Sequence, residues 1–151
     1  MKGRSASITN ERPAASSPAA RKRMQATAQG GNWSERRLRS ALHIKGIRFR
    51  NHYRLATLPR RSIDVALVGA KIAIFIDGCF WHGCPRHGTM PKSNRAWWKT
   101  KINTNQIRDR DTNIKLRQAG WKVIRVWEHQ PVDAVVLRII RMRSAVPRIT
   151  Q

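Results

Sequence analysis

The segment Phe75-Ile76-Asp77-Gly78-Cys79-Phe80-Trp81-His82-Gly83-Cys84-Pro85-Arg86-His87 limits what this chain can fold into more than any other. An apolar run ends in it, and the loop that follows gathers both cysteines of the chain, two histidines and two adjacent aromatic rings beside a carboxylate. A loop cannot bury Phe80 and Trp81 unaided, so the rings need a local core or a partner with flat faces. Cys79, Cys84 and His87 have the donor chemistry of a zinc-stiffened loop, and His129, just past the last expected strand, could close it. Spacing alone leaves the alternative open, because a lone C-x4-C is not diagnostic and would equally suit two buried thiols beside solvent histidines.

Upstream, Ile63-Asp64-Val65-Ala66-Leu67-Val68 and Lys71-Ile72-Ala73-Ile74-Phe75-Ile76 flank Gly69-Ala70, which predicts a hairpin of two central strands. Ile47 to Tyr53 alternates like a further strand, and Ser34 is positioned to cap a helix that ends near Gly46. Trp33, Leu38, Ala41 and Leu42 give that helix an apolar stripe. Ser93 or Asn94 opens a long helix to about Ala119, stopped by Gly120. Trp98, Ile102, Asn105 and Asp109 share one face of it, half apolar and half polar. Trp121 to Trp127 reads as a strand, and Pro131 opens a last helix. This order predicts a single α/β domain.

Charge narrows the partner. Lys and Arg number 31 against eight Asp and Glu, a formal net charge of +23 in 151 residues. Such a field attracts a polyanion and makes binding steeply salt-dependent. No apolar stretch approaches the ~20 residues of a spanning helix, so no membrane partner is expected. The first thirty residues lack a signal-peptide core, which predicts a cytosolic chain whose cysteines are thiols or metal ligands. Residues 1–20 read as a disordered basic arm, 21–144 as the folded domain and 145–151 as a short tail.

Against so much positive charge the eight acids stand out. Glu11, Asp111 and Asp133 read as ordinary salt-bridge partners. Asp64 interrupts a strand core, where an isolated carboxylate is costly, so it is expected at a strand end facing a metal or a cation. Asp64, Asp77, His82 and Asp109 together could hydrolyse a phosphodiester, with a cation to neutralise phosphate and His82 as base. Met24, Phe80, Trp81 and Trp98 could wedge between base steps, or for any single Trp simply fill a core.

These residues resemble the very short patch repair (Vsr) DNA mismatch endonuclease family. The resemblance rests on Gly78-Cys79-Phe80-Trp81-His82, on Asn105-Gln106-Ile107-Arg108-Asp109-Arg110-Asp111, and on Ala119-Gly120-Trp121-Lys122-Val123 leading to Val126-Trp127-Glu128. Arg23-Met24 and Glu35 add to it, and it covers about residues 20 to 140. It implies a restriction-endonuclease-like, PD-(D/E)XK-type core: a mixed sheet flanked by helices, with a structural zinc loop. It also implies a bacterial, nucleoid-associated and monomeric enzyme that nicks double-stranded DNA 5′ to the T of a T·G mismatch, with other mismatch-repair proteins as further partners. Such a mismatch is the product of 5-methylcytosine deamination.

Carried over by position, the resemblance implies that Asp64 and the backbone carbonyl of Ile76 bind catalytic magnesium directly and Asp109 through water. His82 then activates water and Glu35 is auxiliary; Asp77, which stands where well-known members have histidine, is expected instead to supply charge near the scissile phosphate. Met24, Phe80, Trp81, Trp98 and Asn105 contact DNA, while Cys79, Cys84, His87 and His129 hold zinc. The chain departs from well-known members in having Ile76-Asp77 in place of Thr-His, Ile63-Asp64 in place of Pro-Asp, and His129 where some have cysteine. Two rivals remain at this stage: a non-catalytic DNA-binding zinc protein, and a restriction-type or phage nuclease of the same fold with another target.

Overall fold

The two β-branched runs form neighbouring strands at the middle of a four-stranded sheet. The computed structural model describes residues 13–145. Strands β1 (Arg50–Tyr53), β2 (Ile63–Leu67), β3 (Ile72–Asp77) and β4 (Lys122–Trp127) lie in that order. β1–β2 and β2–β3 are antiparallel, whereas β3–β4 is parallel, in register from Ile72↔Lys122 to Asp77↔Trp127. The strand that enters the Cys/His loop is therefore interior, paired on both edges, and its near-continuous apolar run follows from that. The hairpin loop is longer than the expected Gly69-Ala70 turn. Leu67 pairs with Ile72, a 3-10 turn spans Val68–Ala70, and Lys71 takes the left-handed conformation at φ 49°.

Helices cover both faces. α1 (Pro18–Ile44) and α3 (Val132–Ser144) bury Leu38, Leu42, Val135, Val136 and Ile139 against Val65, Leu67, Ile72, Ile74, Ile124 and Val126. α2 (Arg95–Gln118) covers the other face, where Leu116 meets Ala66, Ala73, Phe75 and Trp121. Strand alternation assigns Asp64, Ala66, Ala73, Phe75, Asp77 and Arg125 to this second face, toward α2. The polar half of α2 thus meets the charged ends of three strands.

α1 begins far upstream of Ser34. Ser17 caps it by accepting from the Ala20 amide at 3.1 Å, and the helix runs 27 residues. Gly30-Gly31 hid this continuity, since each glycine disfavours a helix interior by about 1 kcal/mol relative to alanine. Ser34 is interior and its hydroxyl donates to the Glu128 carbonyl at 3.1 Å, tying α1 to the end of β4. Helical backbone from Pro18 overlaps the end of the expected disordered arm, most of which lies outside the described residues, as do the Trp33 side chain and most of the 145–151 tail. β1 is confined to Arg50–Tyr53, while Ile47 drops into the core at 4 % exposure. Among the described residues, no helix is long and apolar enough to cross a membrane.

Candidate active site and metal-ligating loop

Where the antiparallel ladder between β2 and β3 stops, Asp64 takes over. The paired register covers Val65–Leu67 with Ile72–Ile74, and beyond it the Asp64 carboxylate accepts the Ile76 amide at 2.8 Å. The amide and carbonyl of one extended residue point toward the same strand edge. The Ile76 carbonyl therefore faces the side from which Asp64 approaches. Burial drives the Asp64 carboxyl up to about 6; the Ile76 hydrogen bond works against this, and the charges of Glu35 and Asp77 add to it. A hard dication would reverse that penalty, so this oxygen-donor pair fits one.

Across the same cavity, of about 320 Å³, lie Asp77, His82, Asn105, Arg108, Asp109 and Arg125, with Arg61 and Ser62 at its rim. His82 Nδ1 is 2.6 Å from Asp109 Oδ2 and 3.7 Å from Asp77 Oδ1. Burial raises the Asp109 carboxyl, but the His82 hydrogen bond and the charges of His82 and Arg125 outweigh it and hold the group below its usual range. Asp109 is thus ionised near neutrality, and His82 Nδ1 donates to it. In the neutral ring this leaves the lone pair on Nε2. Burial pulls His82 down, yet the Asp109 bond and the two carboxylate charges raise it overall.

Asp77 is 6 % exposed and ends β3. Burial raises its pKa against the pull of Arg125 and His82. Arg125 joins the two carboxylates: Nη1 lies 2.6 Å from Asp77 Oδ1 and Nη2 3.1 Å from Asp109 Oδ1. Nothing in the sequence reading singled out Arg125. Alternation along β4 puts it on the α2 face, and the parallel pairing sets it opposite Phe75. Glu35 lies nearby, 3.4 Å from both Arg39 and His52, with Oε1 buried and lacking a hydrogen bond.

The loop after β3 is a chain of turns pinned by α2 and β4. His82 N bonds Gly78 O, Cys84 N bonds Cys79 O, and the Cys79 amide donates to Glu128 Oε1 at 2.8 Å. Asn105 Nδ2 donates to Trp81 O at 2.9 Å and Gln106 Nε2 to His82 O at 3.1 Å. Asn105, expected on DNA, has its amide engaged in holding the loop. Gly83 sits at φ +65°, and a Cβ there would come within 2.7 Å of Gln106 Nε2. The left-handed conformation favours glycine here, and a side chain would also push Gln106 off its hydrogen bond to His82 O.

Cys79, Cys84, His87 and His129 converge, each offering a ligand atom within 4.8 Å of the others. His129 Nδ1 is 3.1 Å from Cys79 Sγ and 3.9 Å from Cys84 Sγ. Burial, reinforced by the adjoining Cys84, pushes the Cys79 thiol up to about 12. A bound cation would reverse that penalty, so a soft dication suits the donor set.

Phe80, Trp81 and Trp98 form one aromatic cluster, with ring centroids 5.1 to 5.7 Å apart, and Trp97 adds an edge contact to Trp98 at 4.8 Å. Trp98, expected as a DNA contact, is only 5 % exposed. Its helix face turns toward the body of the domain, so it backs the half-buried Phe80, Trp81 and Trp97. The start of α1 brings Met24 to the same place, where Arg23, Met24, Phe80 and Trp98 border a cavity of about 440 Å³.

A sheet end that gathers carboxylates and a carboxylate-held histidine beside arginines is suited to cleaving phosphodiesters. Comparison with known proteins agrees. The family model described as DNA mismatch endonuclease Vsr matches residues 15–87. The type II nicking enzyme V.NaeI of Lentzea aerocolonigenes is 42 % identical over 119 residues, 78 % of this chain and 72 % of that protein. The nicking enzyme V.XorIIP of Xanthomonas oryzae pv. oryzae is 36 % identical over 80 % of this chain and 87 % of its own. The DNA mismatch endonuclease Vsr of Escherichia coli K12 is 36 % identical over 111 residues, 71 % and 67 % of the two chains. The chain belongs to the Vsr family of DNA endonucleases and is a hydrolase acting on DNA.

Proposed function

We propose that this endonuclease nicks duplex DNA 5′ to the T of a T·G mismatch, on a restriction-endonuclease-like core in the bacterial cytoplasm. The observation that carries the reading is the shared cavity. In it the Asp64 carboxylate and the Ile76 backbone stand on one side and the His82–Asp109 pair on the other.

In this reading Asp64 and the Ile76 carbonyl would hold magnesium directly, and Asp109 would act on it through water. Bound there, magnesium supplies charge neutralisation for the phosphate and the departing oxygen. His82 Nε2 takes the proton from the attacking water while Asp109 holds the ring and offsets the imidazolium charge. Asp77, buried against Arg125, acts on the site through that contact rather than by touching phosphate. Arg108, and Arg61 where it is released from Asp111, would receive the neighbouring phosphates. Met24, Phe80 and Trp81 press into the duplex at the mismatch, where stacking is weakest, and Trp98 supports them from below. Cys79, Cys84, His87 and His129 would hold a structural zinc, which would stiffen the loop carrying His82 and the two rings.

The names of several relatives as type II nicking enzymes support strand-specific nicking. The test is an end-labelled duplex incubated with magnesium or with a chelator. Nicking of one strand in magnesium alone fits the proposal, while binding without scission would place the chain among non-catalytic DNA-binding proteins.

A further inference from the structure

Arg125 is the most heavily engaged cation of the cavity. Besides its contacts to Asp77 and Asp109, its Nε donates to Asn113 Oδ1 at 2.9 Å. Its guanidinium carbon lies 4.5 Å from the centroid of the Phe75 ring. The side chain is 19 % exposed, and each nitrogen has a partner in the site. Such a guanidinium is not available to a phosphate. It is held like a fixed ion, its planar fork matched to two carboxylates that approach from different elements.

Those carboxylates and His82 form a corner in which three ligand atoms lie within 4.8 Å of one another, a spacing that would suit a divalent cation. The guanidinium already bridges Asp77 Oδ1 and Asp109 Oδ1, and a dication placed among the same oxygens would face it at close range. Asp64 differs. Its hydrogen bond is to a backbone amide, and its carboxylate has no guanidinium among its hydrogen-bond or ion-pair contacts among the described residues.

We infer that Arg125 is a built-in cation that takes the place of a metal ion in the Asp77–His82–Asp109 corner, so that the cavity recruits its divalent cation at Asp64 alone. Arg125 is thereby a positioning residue. It neutralises Asp77, leaves Asp109 Oδ2 turned to His82, and keeps the corner closed to dications. This rests on the proposed reading of Asp64 as the metal-holding carboxylate, and the experiment separates the two.

The measurement is Mn2+ binding to the full-length protein, with bound zinc measured separately. Wild type should take a single Mn2+ beyond its zinc, and Arg125→Gln should gain a second. That second site should bind at least ~tenfold tighter than any counterpart in wild type, since a like charge has been removed. Adding Asp77→Asn to Arg125→Gln should remove the second ion. Arg125→Lys, which keeps the charge, should stay at one Mn2+, an outcome that lost packing would not give. Single-turnover nicking by Arg125→Gln at saturating enzyme should drop while its affinity for ordinary duplex holds.

A second Mn2+ in wild type that disappears in Asp77→Asn overturns the inference. So does a folded Arg125→Gln that still takes only one. Should Arg125→Gln fail to fold, the wild-type and Asp77→Asn counts decide, and an equal count of one in both supports the inference. Asp64→Ala should lose the single Mn2+. If it keeps that ion, the reading of Asp64 fails, while the Arg125 comparison stands on its own result.

Discussion

The cavity at the end of the sheet and the Cys/His loop beside it both collect polar donors, but they neutralise them differently. In the cavity the protein supplies its own counter-charge: Arg125 and His82 bridge Asp77 and Asp109. Asp77, Arg125 and Asp109 stand on β3, β4 and α2, and His82 reaches them from the loop that follows β3. In the loop the donors are two buried cysteines and His87 on consecutive turns, joined by His129 from the turn after β4, with the Cys79 thiol pushed up to about 12. A scaffold of strands can keep charged groups in place before any ion arrives, whereas a loop of turns, tethered here by a few side chains of α2 and of the turn after β4, would gain further rigidity from a bound ion. The account therefore expects the cavity to lose chemistry when its metal is removed, and the loop to lose structure.

The largest effect should come from Asp64. Asp64→Ala should lower single-turnover nicking by about 10³-fold or more, ~4 kcal/mol of transition-state stabilisation, with duplex affinity unchanged or tighter. Near-normal cleavage in that variant would break the comparison on the cavity side. On the loop side, Cys84→Ser should lower the melting temperature by ~10 °C or more, as expected when a folding-coupled metal site is opened. Metal analysis of the folded wild type should find zinc. A folded, active preparation without it would remove the structural role from this cluster.

A third test uses the raised Asp64 carboxyl. With a folded pKa of about 6 against 3.8 unfolded, the group contributes stability that is fully present below pH 3.8 and is lost as pH rises through about 6. Asp64→Asn in divalent-free buffer should therefore melt higher than wild type above pH 6, by up to about 3 kcal/mol, and equally near pH 3.5. Magnesium should erase the difference by stabilising wild type at the higher pH. Equal melting at all pH values would show that Asp64 carries no stored penalty.

The smallest expected effect is Trp81→Ala. The ring is half-buried at the rim of the aromatic cluster, so melting should shift by only a few degrees, by the usual ~2–8 °C per kcal/mol. Cleavage at T·G should fall by at least ~tenfold, about 1.4 kcal/mol, with salt-dependent binding to paired duplex retained. Early melting with normal mismatch preference would make Trp81 a core residue instead.

Much of this arrangement could be read along the chain, because local signals carried it. β2, β3, β4 and α2 follow from β-branched runs, a helical face and Gly120, and a carboxylate inside a strand pointed to Asp64. Convergence of Cys79, Cys84, His87 and His129 required only that β4 end beside the loop, which parallel pairing with β3 provides. What escaped depends on contacts distant in sequence. Arg125 carries no local signal at all; its importance comes from pairing that sets it beside Phe75, Asp77 and Asp109. For Trp98 the sequence left both a wedge and a core role open, and the packing of α2 buries it; Asn105 and Gln106 become loop tethers only once α2 lies across the turn at Gly83. The length of α1 was masked by Gly30-Gly31, whose local preference is overridden.

Strand-resolved nicking of two duplexes identical but for one base pair, T·G in one and T·A in the other, decides whether the enzyme is mismatch-directed. The T-bearing and opposite strands carry different end labels, and magnesium is present. The account predicts a single nick 5′ to the T of T·G, in the T-bearing strand only, at a rate at least ~tenfold above the T·A duplex, a difference of ~1.4 kcal/mol. Equal cleavage of both duplexes, or of both strands, would contradict it and leave a Vsr-family nuclease with a different target.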